Sequence, residues 1–210
     1  MLTLFDFDAS PSCLKTKILL KELGIPFQQQ RVTRADLRGA DYRAKFPTGQ
    51  APAIEDGPLR LAESGAIAQY LAEKHGQLIP TDPQRRALML QAIAVEATLV
   101  EPTVGGLGLF GELYKPAAEQ NAPRLAQLRE QCARVGRVLG ELLGDKPYFA
   151  DELSIADIQL YSAVSKGLAA NIFGAVPQNL VAWCARMTAR PAVQAARQEY
   201  VHYREAVAAA

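Results

Sequence analysis

Near the start of the chain, Ser10-Pro11-Ser12-Cys13 sets two hydroxyls and a thiol side by side, just ahead of a run with helical spacing. Leu14, Ile18, Leu19 and Leu23 supply the apolar positions of that run, Lys15, Lys17 and Lys21 its remaining faces, and Gly24 with Pro26 its end. The start of a helix favours anions, because its first N–H groups lack internal partners and the helix dipole is positive there. A hydroxyl in the same place can donate a hydrogen bond to a thiolate. Both effects lower the pKa of a thiol held there from about 8.5, each unit being worth about 1.4 kcal/mol in favour of the thiolate. The chemistry on offer is the ionisation and placement of a sulfur nucleophile. Ser10, Ser12 and Cys13 compete to be the group that meets it. Serine ahead of a helix is most often a cap, and that role is expected of Ser12. Cys13 could itself be reactive, although its position turns toward the body of the helix, where it packs.

The elements that must position this turn lie in residues 1–77. Strand patterns cover 2–7, 27–32, 53–55 and 59–62, with Asp56-Gly57-Pro58 marking a hairpin between the last two. Helical patterns cover 13–23, a short stretch near 41–46, and a segment after Glu63-Ser64 with Ile67, Tyr70 and Leu71 on its apolar face. The order is β-α-β-α-β-β-α, a thioredoxin-like α/β layout. A breaker-rich linker over about 76–84 leads into an all-α domain over 85–210. Helices are predicted there at 84–114, 117–143, 155–169, 178–188 and 191–206, the first bent or broken at Gly105-Gly106-Leu107-Gly108.

Composition narrows the classes. Of 210 residues, 49% are apolar and 21% charged, and 23 basic against 22 acidic side chains leave a net charge of +1. No global field points to nucleic acid or an anionic membrane. Met1-Leu2-Thr3-Leu4-Phe5-Asp6 lacks the basic start of a signal peptide, and the apolar runs look shorter than a membrane span. Cys13, Cys132 and Cys184 are odd in number and dispersed, which fits a reducing cytoplasm. The two histidines, His75 and His202, sit away from the motifs, giving metal binding and histidine-based hydrolysis little support.

Several motifs carry a resemblance that spans the whole chain. Phe46-Pro47-Thr48-Gly49-Gln50-Ala51-Pro52-Ala53-Ile54 is similar to N-P-x-G-x-V-P-x-L, and Glu63-Ser64-Gly65-Ala66-Ile67 with Tyr70-Leu71 to E-S-x-A-I-x-x-Y-L. Ser154-Ile155-Ala156-Asp157 matches a capping box, and 183–193 resembles W-x-x-R-x-x-x-R-P-A-V. In order and spacing these resemble the cytosolic glutathione S-transferase family. The resemblance implies a serine-type enzyme, no tyrosine lying near the end of the first strand. Ser10 would take the activating position, with Ser12 and Cys13 as alternatives at the thiolate. It further implies a cis Ala51-Pro52 bond and glutathione held by Gln50, Ala51, Pro52, Glu63 and Ser64. The backbone of Ala51 would pair with the cysteinyl part, Ser64 with the γ-glutamyl carboxylate, Glu63 with the α-ammonium, and Gln50 (aided by Arg38) with the glycyl end.

Glutathione is thus the expected co-substrate, without a metal, and the partner a small apolar electrophile. Its pocket is expected between the first helix's start and the opening helices of the second domain. Phe110 and Tyr114 are its candidates, with Leu107 and Leu113, and Tyr200, His202 or Tyr203 closing it from the tail. Other activities stay open: a zeta-like maleylacetoacetate isomerase, a peroxidase or a dehalogenase, or a binding protein without catalysis. Glu63 in place of glutamine and the absence of S-S-C count against the isomerase. A homodimer is implied by the resemblance. Phe46 in place of asparagine is expected to alter loop packing, Trp183 to serve the core or an interdomain contact, and Ser154 with Asp157 to position a core helix.

Overall fold

Leu2, Leu4 and Phe5 are buried on β1 (Leu2–Asp6), the strand around which the first of two compact units is built. The computed structural model describes residues 1–7 and 10–200. β1 pairs in parallel with β2 (Phe27–Arg31) and antiparallel with β3 (Ala53–Asp56). β4 (Leu59–Ala62) completes a mixed sheet of order β2-β1-β3-β4. A parallel pair needs a crossover, and α1 (Pro11–Glu22) supplies it between β1 and β2. The expected hairpin joins β3 to β4, with Gly57 at φ +61° in the turn. α4 (Ser64–His75) follows and ends on Gly76 in the left-handed conformation.

The predicted element order needs one correction. Where a single short helix was expected there are two, α2 (Arg34–Arg38) and α3 (Ala40–Lys45). Thr33 starts α2 with a reciprocal box: its hydroxyl accepts the Asp36 N–H at 3.2 Å, and the Asp36 carboxylate accepts the Thr33 N–H at 2.8 Å.

α1 departs further from expectation. Lys15 and Lys17, assigned to its polar faces, are 1% and 0% exposed. Both α4 and α11 (Pro191–Gln198) pack on this helix, which leaves it little solvent-facing surface. Lys17 Nζ meets the equally buried Asp6 carboxylate at 2.9 Å. Removing one partner would leave a buried charge uncompensated, a loss of about 3–5 kcal/mol.

By contact, the first unit comprises Met1–Gln77 and the segment from Arg190, so the helical unit is Leu78–Ala189 rather than 85–210. Two ion pairs tie that segment to α1. The Arg190 guanidinium forks onto Glu22 at 2.5 and 2.8 Å, and Lys21 meets Glu199 at 2.7 Å.

In the helical unit, α5 (Pro83–Val95) passes through a π-helical turn (Glu96–Val100) into α6 (Glu101–Val104). The chain breaks at the predicted glycines and resumes as α7 (Leu109–Leu113). A Cβ on Gly108 would lie 2.2 Å from the Thr103 carbonyl oxygen, so the close return of the chain there demands glycine. The stretch Pro83–Leu113, taken as one, is long and apolar enough by composition to cross a membrane, contrary to the short apolar runs expected. Here its segments instead bury Met89, Ala92, Val100, Val104 and Leu109 in the unit's own core. α8 (Ala122–Leu143), α9 (Ile155–Ala169) and α10 (Gln178–Thr188) complete the unit. The buried Asp157 carboxylate accepts from the Ser154 N–H at 3.0 Å, the Phe149 N–H at 3.1 Å and the Trp183 indole at 2.9 Å. Trp183 is therefore core, locked by the box that starts α9.

Candidate functional site

Two strand registers bring separate segments to one end of the sheet. β1 pairs Phe5 with Ala53, and β3 pairs Ala53 with Ala62. Just past this end of the three strands the chain continues as Phe7 after β1, enters β3 through Ala51-Pro52, and leaves β4 as Glu63-Ser64. At this same end Ser10 starts α1. The three segments that the motifs single out are thus neighbours across the strands.

Ser10, not Ser12, is the helix cap. Its backbone is extended (φ −81°, ψ 122°), its Oγ accepts the Cys13 N–H at 3.3 Å, and its own N–H donates to the Phe7 carbonyl at 2.8 Å. The reason lies in Pro11, which is preset for the first helical position and has no N–H to lose. Ser12 then falls inside the first turn, where its carbonyl accepts the Thr16 hydroxyl at 3.4 Å. Capping spends a lone pair of Ser10 Oγ and leaves its proton. The cap and the donor to an anion can therefore be the same hydroxyl, and the two roles do not compete.

Cys13 is fully buried, and its Sγ accepts the Phe7 N–H at 3.4 Å. Burial, reinforced by the Asp6 charge, pushes its thiol up to about 12 despite the Phe7 and Ser10 hydrogen bonds. It is a neutral packing residue, which corrects the reactive alternative. The sequence shows a thiol at a helix start. It does not show that Asp6 turns toward it.

Ala51-Pro52 is cis, as the resemblance implied. Gln50 is exposed, and its carbonyl accepts the Tyr42 hydroxyl at 2.9 Å. Tyr42 packs in turn with Phe5 and Phe46, at ring-centroid distances of 5.9 and 5.1 Å. Phe46 is thus a core residue, and Tyr42, which drew no notice in the sequence, anchors the loop that carries Gln50 and Ala51. Its only signal was a place on the short helix near 41–46.

Glu63 has φ +72° and ψ 117°, is exposed, and occupies the cap position of α4 without a capping side-chain bond. Ser64 is the first helical residue rather than the cap, and half-buried. A non-glycine residue at positive φ costs about 1–3 kcal/mol, and such strain collects at functional sites. Arg38 is exposed at the end of α2.

Within the helical unit, Phe110 and Tyr114 stack with centroids 6.1 Å apart and planes 26° apart. Leu107 is 77% exposed. His202 and Tyr203 lie outside the described residues. His75 is exposed, as expected, and among the described residues no three His, Cys, Asp or Glu side chains group to hold a metal. A cleft of about 610 Å³ opens elsewhere in the first unit, lined by Phe5, Arg31, Asp41, Tyr42 and Lys45 among others, with none of the motif residues in its wall.

Comparisons with known proteins bear on this arrangement. The glutathione S-transferase N-terminal domain matches residues 4–80, and the C-terminal domain residues 107–191. The chain is 30% identical to a glutathione S-transferase of Hyoscyamus muticus over 87% of its own length and 91% of that protein. It is 31% identical to the disulfide-bond oxidoreductase YfcG of Escherichia coli, covering 89% and 90%. Among solved structures, a glutathione transferase of Pseudomonas putida with one glutathione disulfide bound per subunit superposes with TM-score 0.81. That match has 30% identity and covers 93% of this chain and 90% of the other.

Proposed function

Because the chain belongs to the glutathione S-transferase family, we propose that it ionises bound glutathione and directs the thiolate at an apolar electrophile. The supporting observation is the convergence, at one end of the sheet, of the α1 start, the Ala51-Pro52 turn and Glu63-Ser64. In this reading the Ser10 hydroxyl donates to the sulfur while its oxygen caps α1. The Ala51 backbone pairs with the cysteinyl unit as an added strand would. Ser64 at the α4 N-terminus takes the γ-glutamyl carboxylate, and Glu63 the α-ammonium. Gln50 meets the glycyl end. The sulfur attacks an electrophilic carbon, a carbon–sulfur bond forms, and the leaving group departs with its electron pair. Phe110 and Tyr114 contribute the aromatic wall for the electrophile. The protein acts in the cytoplasm as a homodimer.

A second reading has a specific observation behind it, the similarity to a disulfide-bond oxidoreductase. With Cys13 buried and neutral, the attacking sulfur would again be that of glutathione, displacing a thiolate from a disulfide. One experiment separates the readings: turnover of chlorodinitrobenzene, a hydroperoxide, a small disulfide and maleylacetone, each with saturating glutathione. Conjugation should dominate. A protein whose melting temperature does not rise in millimolar glutathione, and which turns over none of the four, would refute both.

A further inference from the structure

We propose that Lys166 makes the Phe110–Tyr114 wall selective for aromatic electrophiles that carry an anionic substituent, a carboxylate or a sulfonate. The proposal rests on the transferase reading and names the substrate class of its second site.

Lys166 is the sole cation on α9, a helix that is otherwise largely buried. It lies in the last turn, where the helix dipole favours positive charge. Its Nζ sits 4.3 Å from the centroid of Phe110 and 4.5 Å from that of Tyr114. Two stacked rings therefore present their π-systems to one ammonium, an attraction of cation–π type. Rings do not replace what water gave the group. An ammonium carries three N–H donors, and that of Lys166 makes no hydrogen bond or ion pair with any described residue. Glu101 acts on it only through space.

The consequence shows in its charge. Burial pulls Lys166 down to about 8, with Glu101 acting in the opposite sense. A cation held this way has no anion within hydrogen-bonding reach among the described residues, Glu101 acting only from a distance. A carboxylate delivered beside it would restore full protonation and take charge-assisted hydrogen bonds, while a flat ring on the same molecule would lie against Phe110 and Tyr114. Neither gain is open to a neutral aliphatic electrophile. The bland alternative is a clamp in which the lysine merely holds the two rings.

The test compares chlorodinitrobenzene with chlorodinitrobenzoate as electrophiles for the full-length protein at saturating glutathione. In each, the thiolate adds to the ring carbon and chloride leaves. Lys166→Met should lower kcat/KM for the benzoate by about tenfold to a hundredfold, and for the neutral compound far less. Lys166→Arg keeps the charge and should keep the preference. Equal losses on both substrates, or an arginine variant no better than the methionine one, would overturn the proposal in favour of the clamp. Calorimetric binding of dinitrobenzoate, which has no leaving group, separates the two layers. If neither chloro compound is turned over, the transferase reading falls. Weaker dinitrobenzoate binding in Lys166→Met would still uphold the anion site, and unchanged binding would overturn it.

Discussion

Replacing Ser10 by alanine removes two things at once, and replacing it by glycine removes mainly one. The hydroxyl oxygen caps α1 through the Cys13 N–H at 3.3 Å, and in the proposed function its proton goes to the glutathione sulfur. Losing a serine cap to alanine costs about 1 kcal/mol of stability, whereas losing it to glycine costs only a few tenths. A hydrogen bond to a charged group is worth about 1.5–3 kcal/mol. At about 1.4 kcal/mol per unit, the thiol of bound glutathione should titrate roughly 1–2 units higher in both variants. The sign follows from the direction of that shift. The protein stabilises the thiolate, so removing the donor moves the midpoint up. The rate loss is then largest below the new midpoint and disappears above it. Ultraviolet absorbance of the bound thiolate against pH gives the midpoint, and urea unfolding gives the stability. Alanine and glycine variants should share one titration and differ in unfolding free energy. Ser12→Ala should change neither. An unshifted titration in both Ser10 variants would remove Ser10 from thiolate activation, and a larger stability loss from Ser12→Ala would undo the cap assignment.

Glu63→Gly relieves the backbone at φ +72° and should be about 1 kcal/mol more stable than Glu63→Ala, while both variants bind glutathione more weakly. Equal unfolding midpoints for the two would show that no strain is stored there. Cys13, with its thiol pushed up to about 12, should resist iodoacetamide in the native protein near neutral pH and react once urea unfolds it. Peptide mapping that finds Cys13 labelled at native rates would contradict its burial. Hydrogen bonds from Lys74 and then Tyr70 hold the Asp56 carboxylate below its usual range. Its contribution is complete above the unfolded value of about 4 and is lost as pH falls through the lower folded value. Asp56→Asn should therefore lower stability near neutral pH and not in strong acid, and a pH-independent difference would rule the pair out.

Local signals made many of the elements legible in both units. Asp56-Gly57 named the hairpin, Gly24 and Pro26 the end of α1, and the Gly105–Gly108 cluster the break before α7. The missing helix α2 had a signal, Thr33-x-x-Asp36, but five residues give too little periodicity to outweigh a polar composition. The faces of α1 were misread for a different reason. Lysine is taken as solvated because burial of an unpaired charge is prohibitive. Lys17 escapes that rule through Asp6, eleven positions away on another element. The Arg190 motif was matched in the sequence, yet its partner Glu22 lies 168 residues away. That long-range fork is what places α11 against α1 and shortens the helical unit. Partners distant in sequence leave no spacing to read.

The same kind of distant partner decides which sulfur the site can use. A thiol at a helix start is ordinarily the more acidic for its place, and on that ground Cys13 rivals Ser10. Burial reverses the expectation and the Asp6 charge adds to it, since the exclusion of water and a nearby negative charge both favour the protonated thiol. The Lys17 ammonium is committed to Asp6 at 2.9 Å and so does not serve Cys13. Among the described residues at the helix start, Cys13 therefore supplies no thiolate, and the Ser10 hydroxyl accepts the Cys13 N–H and donates to none of them. A turn that keeps its own sulfur neutral while leaving a donor free is suited to a sulfur that arrives with the ligand. Asp6→Asn tests this directly: Cys13 should become more acidic and more open to alkylation, while the titration of bound glutathione stays with Ser10. If the Asp6 change moved the glutathione titration and left Cys13 inert, the two sulfurs would have to exchange roles.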